Sequence, residues 1–313
     1  MAQPLNTFSS NDMVGIREDL SDMIYDISPT ATPLLSALDK VKATDTTHSW
    51  QTDALRSSAA NAHIEGSDIT ANAVTATVKL NNEIQIMVES VRVTDLDKRL
   101  KKAGRGADLA RAIKRNVKVM KLDAERNLYL NQAKVAGTDS VAGLSAGLQA
   151  WMATNTSHGT SGSASAGTGA DTRTEGTDRP LTQTIFETEM QSCWNAGGEP
   201  STVFLHGDQM NVVLGFTGFG NQRATIDAVK GKIINAVELF QTQWGTVSFK
   251  MSRECPSTEL FILETGRWAV AELQGMRNFA LAKTGMSEAR AMDWAWTLEA
   301  RNEKASGMIA DLS

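Results

Sequence analysis

The longest regular pattern of apolar side chains predicts a helix over residues 107–133. Apolar positions recur there at three- and four-residue intervals, which places them on one face of a helix of about seven turns. These positions are Leu109, Ile113, Val117, Met120, Ala124 and Leu128. A shorter stripe over 13–26 predicts an earlier helix, and Pro29 and Pro33 follow it. Because each proline disfavours helical geometry in the residue before it, residues 1–45 are expected to form an arm.

Alternation of apolar and polar side chains predicts strands in the region after the arm. Thr46–Arg56 has extended character, and the alternation over Val74–Leu80 gives one apolar and one polar face. A second alternation, over 84–88, follows a turn predicted at Asn81-Asn82. Small polar residues fill 57–73. A two-stranded ribbon is marginally stable alone in water, so this ribbon is expected to pack on a neighbour.

The rest of the chain mixes helical and strand patterns. Thr94-Asp95 is expected to open a helical region, and 143–153 to form a short helix. The pattern then predicts a mixed α/β block: a helix over 181–196 ended by Gly197-Gly198, a buried strand over 202–206, a helix from Asp208, and strands near 233–240, 246–251 and 260–263. From Trp268 onward strands dominate, and one strand has a single apolar face made of Met292, Trp294, Trp296 and Leu298.

A low-complexity segment lies between the short helix predicted over 143–153 and the α/β block. Of its 24 residues, Thr154 to Thr177, 16 are Gly, Ser or Thr. Such compositions form flexible coils when nothing packs on them. The segment is therefore expected to be an exposed, flexible insertion that proteases cleave first.

Composition limits the class of protein. A chain of 313 residues suggests about two domains, and 41% hydrophobic with 21% charged residues is ordinary for a folded globular protein. No apolar run reaches the 18 or so residues that a membrane span needs, and Met1–Ser10 has no features of a secretory signal. Cys193 and Cys255 form no C-x-x-C pair, so free thiols in a reducing compartment are expected.

The net charge of −5 conceals a strongly basic segment. Between residues 98 and 121, ten basic residues stand against one acidic residue, Asp108, which leaves −14 for the rest of the chain. The basic residues are Lys98, Arg99, Lys101, Lys102, Arg105, Arg111, Lys114, Arg115, Lys118 and Lys121. Three interpretations stay open: a helix face that contacts phosphate, a contact with acidic surfaces of identical neighbours, or a solvated face with internal ion pairs. The acidic candidates for the second are Glu18, Asp19, Asp22 and Asp26 in the arm.

No constellation of residues supports catalysis. Gly143 to Gly147 matches the G-x-S-x-G motif around Ser145, but the residues before it do not resemble the buried strand that the motif requires. Cys193 has no histidine at the downstream distance that papain-like proteases need, and a buried helical position is expected for it. The four histidines have no metal-ligand spacing, and Gly215–Gly220 lacks the phosphate-binding patterns. We expect neither an enzyme nor a cofactor.

An arm, a long ribbon, a long basic helix, an α/β block and closing strands, in this order, resemble the major capsid proteins of tailed bacteriophages. Seven stretches in the same order are similar to the SU10-type subgroup, and the likeness runs from about residue 10 to 313. They are Asp19–Asp22, Ile27–Leu38, His48–Asp53, Gly147–Trp151, Cys193–Gly198, Leu281–Gly285 and Trp296–Gly307.

This resemblance implies an α+β, HK97-like capsid fold. Its parts would be an N-terminal arm (1–45), an extended β-loop (46–90), a P-domain with the spine helix (91–153), the flexible insertion (154–180), an A-domain (181–265) and returning P-domain strands (266–313). The implied function is structural: hexamers and pentamers build an icosahedral shell around double-stranded DNA in the virion, assembled in the host bacterial cytoplasm. Portal, scaffold and decoration proteins are the other expected partners, with no membrane. The sequence shows no long scaffolding segment, so a separate scaffold protein is expected, and no cross-linking residues are transferred.

The resemblance also gives candidates for contacts between subunits or with the shell interior. They are Lys98, Arg99, Lys101, Lys102, Arg105, Arg111, Lys114, Arg115, Lys118, Glu18, Asp22, Ile64 and Glu65. The alternatives are another phage structural part, such as a tail-tube or decoration protein, a hydrolase using Ser145, and a DNA-binding protein acting through 98–121. None of these alternatives accounts for the arm and the ribbon.

Overall fold

The computed structural model describes residues 31–56, 58–68, 73–100, 108–216 and 239–313. The helices in these ranges are α1 (Pro33–Ala37), α2 (Asp95–Arg99), α3 (Asp108–Tyr129), α4 (Leu148–Trp151), α5 (Gln183–Asn195) and α6 (Gly207–Val213). The first six strands are β1 (Asp39–Lys42), β2 (Thr47–Thr52), β3 (Val78–Glu83), β4 (Gln85–Thr94), β5 (Thr156–Ser157) and β6 (Thr202–Leu205). The others are β7 (Leu239–Thr242), β8 (Gly245–Met251), β9 (Leu260–Leu263), β10 (Trp268–Ala280), β11 (Ser287–Ala300) and β12 (Gly307–Ile309).

The first sheet has the strand order β1-β10-β11-β4, and α3 packs on it. The apolar face of β11 carries Trp294 and Trp296, which are almost fully buried beside Met120 and Leu128 of α3. Buried tryptophans contribute large contact areas, so this layer forms the centre of the main core. The opposite face of β11 is covered too, since Thr297 is fully buried.

The second sheet has the order β5-β12-β9-β6-β8-β7. Its central strands β6 and β9 are buried along their whole length, as their continuous apolar sequences require. Phe186 of α5 packs on this sheet against Phe249 of β8. The third sheet contains only the antiparallel pair β2 and β3.

Most predicted elements in the described ranges are present. The long helix is confirmed as α3, although it ends at Tyr129, and α5 stops where Gly197 adopts a φ of +88°. The short helix predicted over 143–153 is only the single turn α4. The helix predicted over 13–26 and part of the strand near 233–240 lie outside the described residues.

The turn predicted at Asn81-Asn82 is wrong. Both residues lie in β3, and Asn82 is fully buried, with its Nδ2 donating to the Leu298 carbonyl oxygen at 2.7 Å. The two alternating patterns therefore do not pair with each other. Instead β3 pairs with β2, and β4 pairs with β11.

The expectation of an exposed insertion over 154–177 is also wrong. Ser165 and Arg173 are buried, and the Gly169 carbonyl accepts a hydrogen bond from Lys134 N at 2.8 Å. Gly169 has a φ of +69°, and a Cβ there would lie 2.7 Å from the Trp151 ring. The small side chains thus let the segment approach the core closely, which composition alone does not reveal.

Candidate inter-subunit surfaces

The pair β2–β3 forms a ribbon base that is fixed to the rest of the protein. Trp50 Nε1 donates to the Ala300 carbonyl oxygen at 2.8 Å, and its ring centroid lies 5.2 Å from that of Trp151. His48 Nε2 lies 3.0 Å from Glu299 Oε2. On the other strand, Lys134 Nζ donates to the backbone and side-chain oxygens of Asn81 at 2.8 and 2.7 Å. Partial burial lowers the pKa of Lys134. The base therefore has a fixed position in the fold.

Beyond this base, residues 53–77 form what we term the distal loop. Each of its described residues is exposed, and they form no helix or strand. Three large apolar side chains are almost fully accessible: Leu55 at 101%, Ile64 at 83% and Val74 at 97%. These three side chains leave water only if another surface covers them, so the distal loop is a candidate contact surface.

Exposed basic side chains of α2 and α3 form what we term the basic surface. Arg99, Arg111, Lys114, Arg115 and Lys121 are all exposed. Arg99 interacts electrostatically with Asp95, whereas no ion pair with a described acidic residue is formed by the other four. Lys98 differs because it pairs with Glu288 and lies 3.9 Å from Asp95. A hydrogen bond from Lys98 is the main cause of the lowered pKa of Glu288. At Asp95 the pKa is lowered mainly by a hydrogen bond from Lys283, with a smaller effect of Lys98.

The structure separates the predicted contact residues into two groups. Ile64 and Glu65 lie in the distal loop, whereas Lys98, Arg99, Arg111, Lys114, Arg115 and Lys118 lie on α2 and α3. The described residues do not bring the two groups into contact within one chain. Glu18, Asp22, Lys101, Lys102 and Arg105 lie outside the described residues.

Ser145 and the two cysteines have structural surroundings. Ser145 is buried, and its Oγ hydrogen-bonds Asn82, Thr297 and the Leu298 backbone N–H. Burial raises the pKa of the Cys193 thiol to about 12, and that of Cys255 well above its usual value. Thiols held neutral in this way are poor nucleophiles.

The described residues offer neither a metal site nor a membrane-spanning helix. They contain no cluster of three or more side chains suited to holding a metal ion. None of their helices has the length and apolar character needed to cross a bilayer.

Sequence reasoning missed two buried charged clusters. Arg173 donates to Glu259 at 2.6 Å and to Asp311 at 2.8 Å, which joins the 154–177 segment to the second sheet and the end of the chain. Burial raises the pKa of Glu259, whereas hydrogen bonds from Gly159, Gly176 and Arg173 outweigh burial and lower that of Asp311. The second cluster centres on Glu125, which accepts from the backbone N–H groups of Leu34 and Leu35. No local pattern marks these partners, since they lie far apart in sequence.

Comparison with solved structures identifies the fold. The fold matches a chain of the cyanophage A-1(L) capsid with a TM-score of 0.65 at 11% identity, covering 97% of this chain and 98% of that one. It also matches a chain of the native GTA particle capsid with a TM-score of 0.62 at 9% identity, covering 99% and 100%. These likenesses confirm the HK97-like capsid fold.

Sequence comparison then gives the family. The model of the SU10 major capsid protein family matches residues 3–313, so this chain belongs to that family. A curated major capsid protein of Escherichia phage Phieco32 is 26% identical over 348 residues, covering 99% of this chain and 97% of the relative. The chain is accordingly a phage major capsid protein, a subunit of the virion shell.

Proposed function

We propose that copies of this chain assemble as hexamers and pentamers into an icosahedral shell that encloses double-stranded DNA. The observation that carries the proposal is the distal loop: its described residues are all exposed, including the apolar Leu55, Ile64 and Val74, although the ribbon base beneath it is fixed. A fixed base directs the loop away from its own chain, where it can cover a neighbouring copy. Repeated head-to-tail contacts of this kind close into rings when the rotation permits.

The proposal assigns a role to each part of the chain. Residues 46–90 act as the extended loop, 91–153 and 266–313 as the P-domain, and 181–265 as the A-domain around the capsomer axis. Residues 1–45 act as an arm, while 154–180 belongs to the packed body. Portal, scaffold and decoration proteins are proposed further partners, and the chain has no proposed catalytic role. Assembly takes place in the host bacterial cytoplasm.

Sedimentation velocity with negative-stain microscopy on the purified full chain tests the proposal. We expect shells, tubes or capsomer rings from the wild-type chain. Deleting residues 57–72 removes most of the distal loop while leaving β2 and β3 intact. This deletion should leave a folded monomer that forms no shells. Val141→Ser is the matched control, because Val141 is 50% exposed outside the loop. Normal shells from the deletion variant would contradict the proposal.

The second proposed role concerns the basic surface of α3. Arg111, Lys114, Arg115 and Lys121 carry charges that no described acidic side chain neutralises. Such a surface attracts phosphate through counterion release, without regard to base sequence. We therefore assign this face of α3 to packaged DNA.

A further inference from the structure

β4 is an edge strand with one unpaired side. It lies at the end of the first sheet, and in the described part of the chain no strand pairs with its outer edge. It is ten residues long and contains no proline or bulge along its pairing with β11. Long regular edges of this kind accept a strand from another chain unless something covers them.

The register shows which backbone groups are available. Asp95 N–H donates to the Met286 carbonyl oxygen, and the pairing continues without a shift along β4. Because hydrogen-bonded residues alternate in an antiparallel pair, the N–H and C=O groups of Ile86, Val88, Ser90 and Arg92 point away from β11. One of these groups is taken, since the Ser90 carbonyl accepts from Asn116 Nδ2 at 3.4 Å.

The side chains of the same four residues are exposed. Ile86 is 69% and Val88 is 59% accessible, whereas the alternate residues of β4 are half-buried. These four residues of β4 with exposed side chains thus begin with two apolar residues and end with a serine and an arginine. Arg99, on the helix that follows β4, adds a second exposed positive charge beyond this end.

Residues 73–77 of the distal loop have a strand-like alternating sequence but belong to no strand in the described chain. The sequence alternates from Val74 onward, but β3 begins only at Val78, so described residues 73–77 form no pair. Val74 is 97% exposed. Upstream of this stretch, Glu65 and Asp68 are exposed acidic residues beside the turn at Gly66. The loop therefore presents a short alternating segment, with Val74 and Ala76 as its apolar positions, preceded by negative charge.

We propose that residues 73–77 of a second copy add to the outer edge of β4 as an antiparallel strand, with Val74 opposite Val88 and Ala76 opposite Ile86. This direction places apolar side chains together on the exposed face of the sheet. It also carries Glu65 and Asp68 toward Arg92 and Arg99, so that opposite charges meet at the other end. The inference rests on the proposed shell function and names the surface that receives the distal loop.

Disulfide trapping between two single-cysteine variants tests the pairing. The Val74→Cys and Val88→Cys full-length chains are mixed, assembled, oxidised gently and examined on a non-reducing gel, with the linked peptides identified by mass spectrometry. Only an intermolecular contact can join the two variants, and the native Cys193 and Cys255 are buried. We expect a Val74–Val88 linkage in assembled material. Met87→Cys replaces Val88→Cys in the matched control, which should not link because Met87 belongs to the opposite face of β4.

Charge reversal supplies an independent readout. Glu65→Lys with Asp68→Lys should reduce the yield of assembled particles by at least about tenfold, because both acidic groups that face Arg92 and Arg99 become repulsive. Combining this change with Arg92→Glu and Arg99→Glu should restore assembly. Wild-type shells without the linkage and without this rescue would overturn the strand addition but leave the shell function intact. A wild-type chain that forms no assemblies even when it is co-expressed with its scaffold protein would overturn both.

Discussion

At the scale of single residues, Glu125 shows how one buried carboxylate holds the start of the described chain. Its two oxygens accept from Leu34 N at 2.9 Å and Leu35 N at 2.7 Å, and Ser252 and Tyr129 also donate to it. Burial raises its pKa despite these bonds. A charge that costs free energy to bury is therefore retained where it satisfies backbone donors of α1.

Removing this carboxylate should loosen α1. Glu125→Ala leaves two buried N–H groups without acceptors, and we expect a loss of about 3 kcal/mol in the free energy of unfolding. Glu125→Gln keeps one acceptor oxygen and should lose less. Urea denaturation measures both, and hydrogen exchange at Leu34 and Leu35 should accelerate. Asp123→Ala, on the exposed side of α3, is the control and should change stability by less than about 0.5 kcal/mol. Equal effects of the alanine changes would contradict this role.

Glu189 should make stability depend on pH. It is 4% exposed, its Oε1 has no hydrogen-bond partner in the described chain, and burial raises its pKa to about 7 although Arg179 acts against this. A raised pKa favours the folded protein while the carboxyl is protonated. This contribution is complete below about pH 4.5 and is lost as the pH rises through 7. The full shift corresponds to about 3 kcal/mol.

Urea denaturation at pH 5, 7 and 8.5 provides the measurement. Glu189→Gln removes the titration with little change of shape, so the two proteins should differ little at pH 5. The variant should become the more stable one as the pH rises. Glu187→Gln, on the same helix, serves as the control. Wild-type and Glu189→Gln curves that run parallel across the pH range would rule out this account.

At the scale of elements, the sequence predicted those helices and strands that a repeating local pattern defines. It did not predict features that depend on contacts between remote residues. The α3 stripe extends over many turns and determines a helix face, and the central strands β6 and β9 follow from short continuous apolar runs. The 154–177 segment was misjudged because its order depends on Glu259 and Asp311, far along the chain. The turn at Asn81-Asn82 was predicted wrongly because asparagine, although common in turns, also fits a strand when its side-chain amide has a buried hydrogen-bond partner. The small polar residues of 57–73 predicted a segment without core contacts, but the strands predicted on either side are shorter than expected, since β2 ends at Thr52 and β3 begins only at Val78.

The two segments should differ in their response to a glutamate-specific protease. Glu65 and Glu175 both have exposed side chains, but the backbone beside Glu175 is held because Thr174 and Ser163 exchange two hydrogen bonds. Cleavage requires local opening, which costs little only in the distal loop. We expect Glu65 to be cut first in the unassembled chain and Glu175 to resist. Glu65→Gln should remove the early fragment, and early cleavage at Glu175 would contradict the packed arrangement.

At the scale of the whole molecule, the described chain combines a packed core with exposed surfaces that pack on nothing within it. Two sheets and α3 bury the apolar residues, while the distal loop, the β4 edge and the basic surface stay exposed. These exposed surfaces are the ones we propose to meet other copies and nucleic acid. The net charge of −5 with a local excess of positive charge favours a directional arrangement, in which one face meets phosphate and the others meet neighbours.

The proposed role of the α3 face can be tested with a short DNA duplex. Its binding to the unassembled chain is measured across a range of salt concentrations. Each phosphate contact adds about 0.9 to the slope of log affinity against log salt. Replacing Lys114, Arg115 and Lys121 by glutamine should therefore lower the slope by up to about 2.7. Replacing Arg277, Lys283 and Arg290 removes the same charge from the β10–β11 hairpin, where Arg277 pairs with Asp293 and Lys283 with Asp95. The control should leave the slope almost unchanged. Equal slopes for the two triple variants would mean that net charge, not the α3 face, attracts DNA.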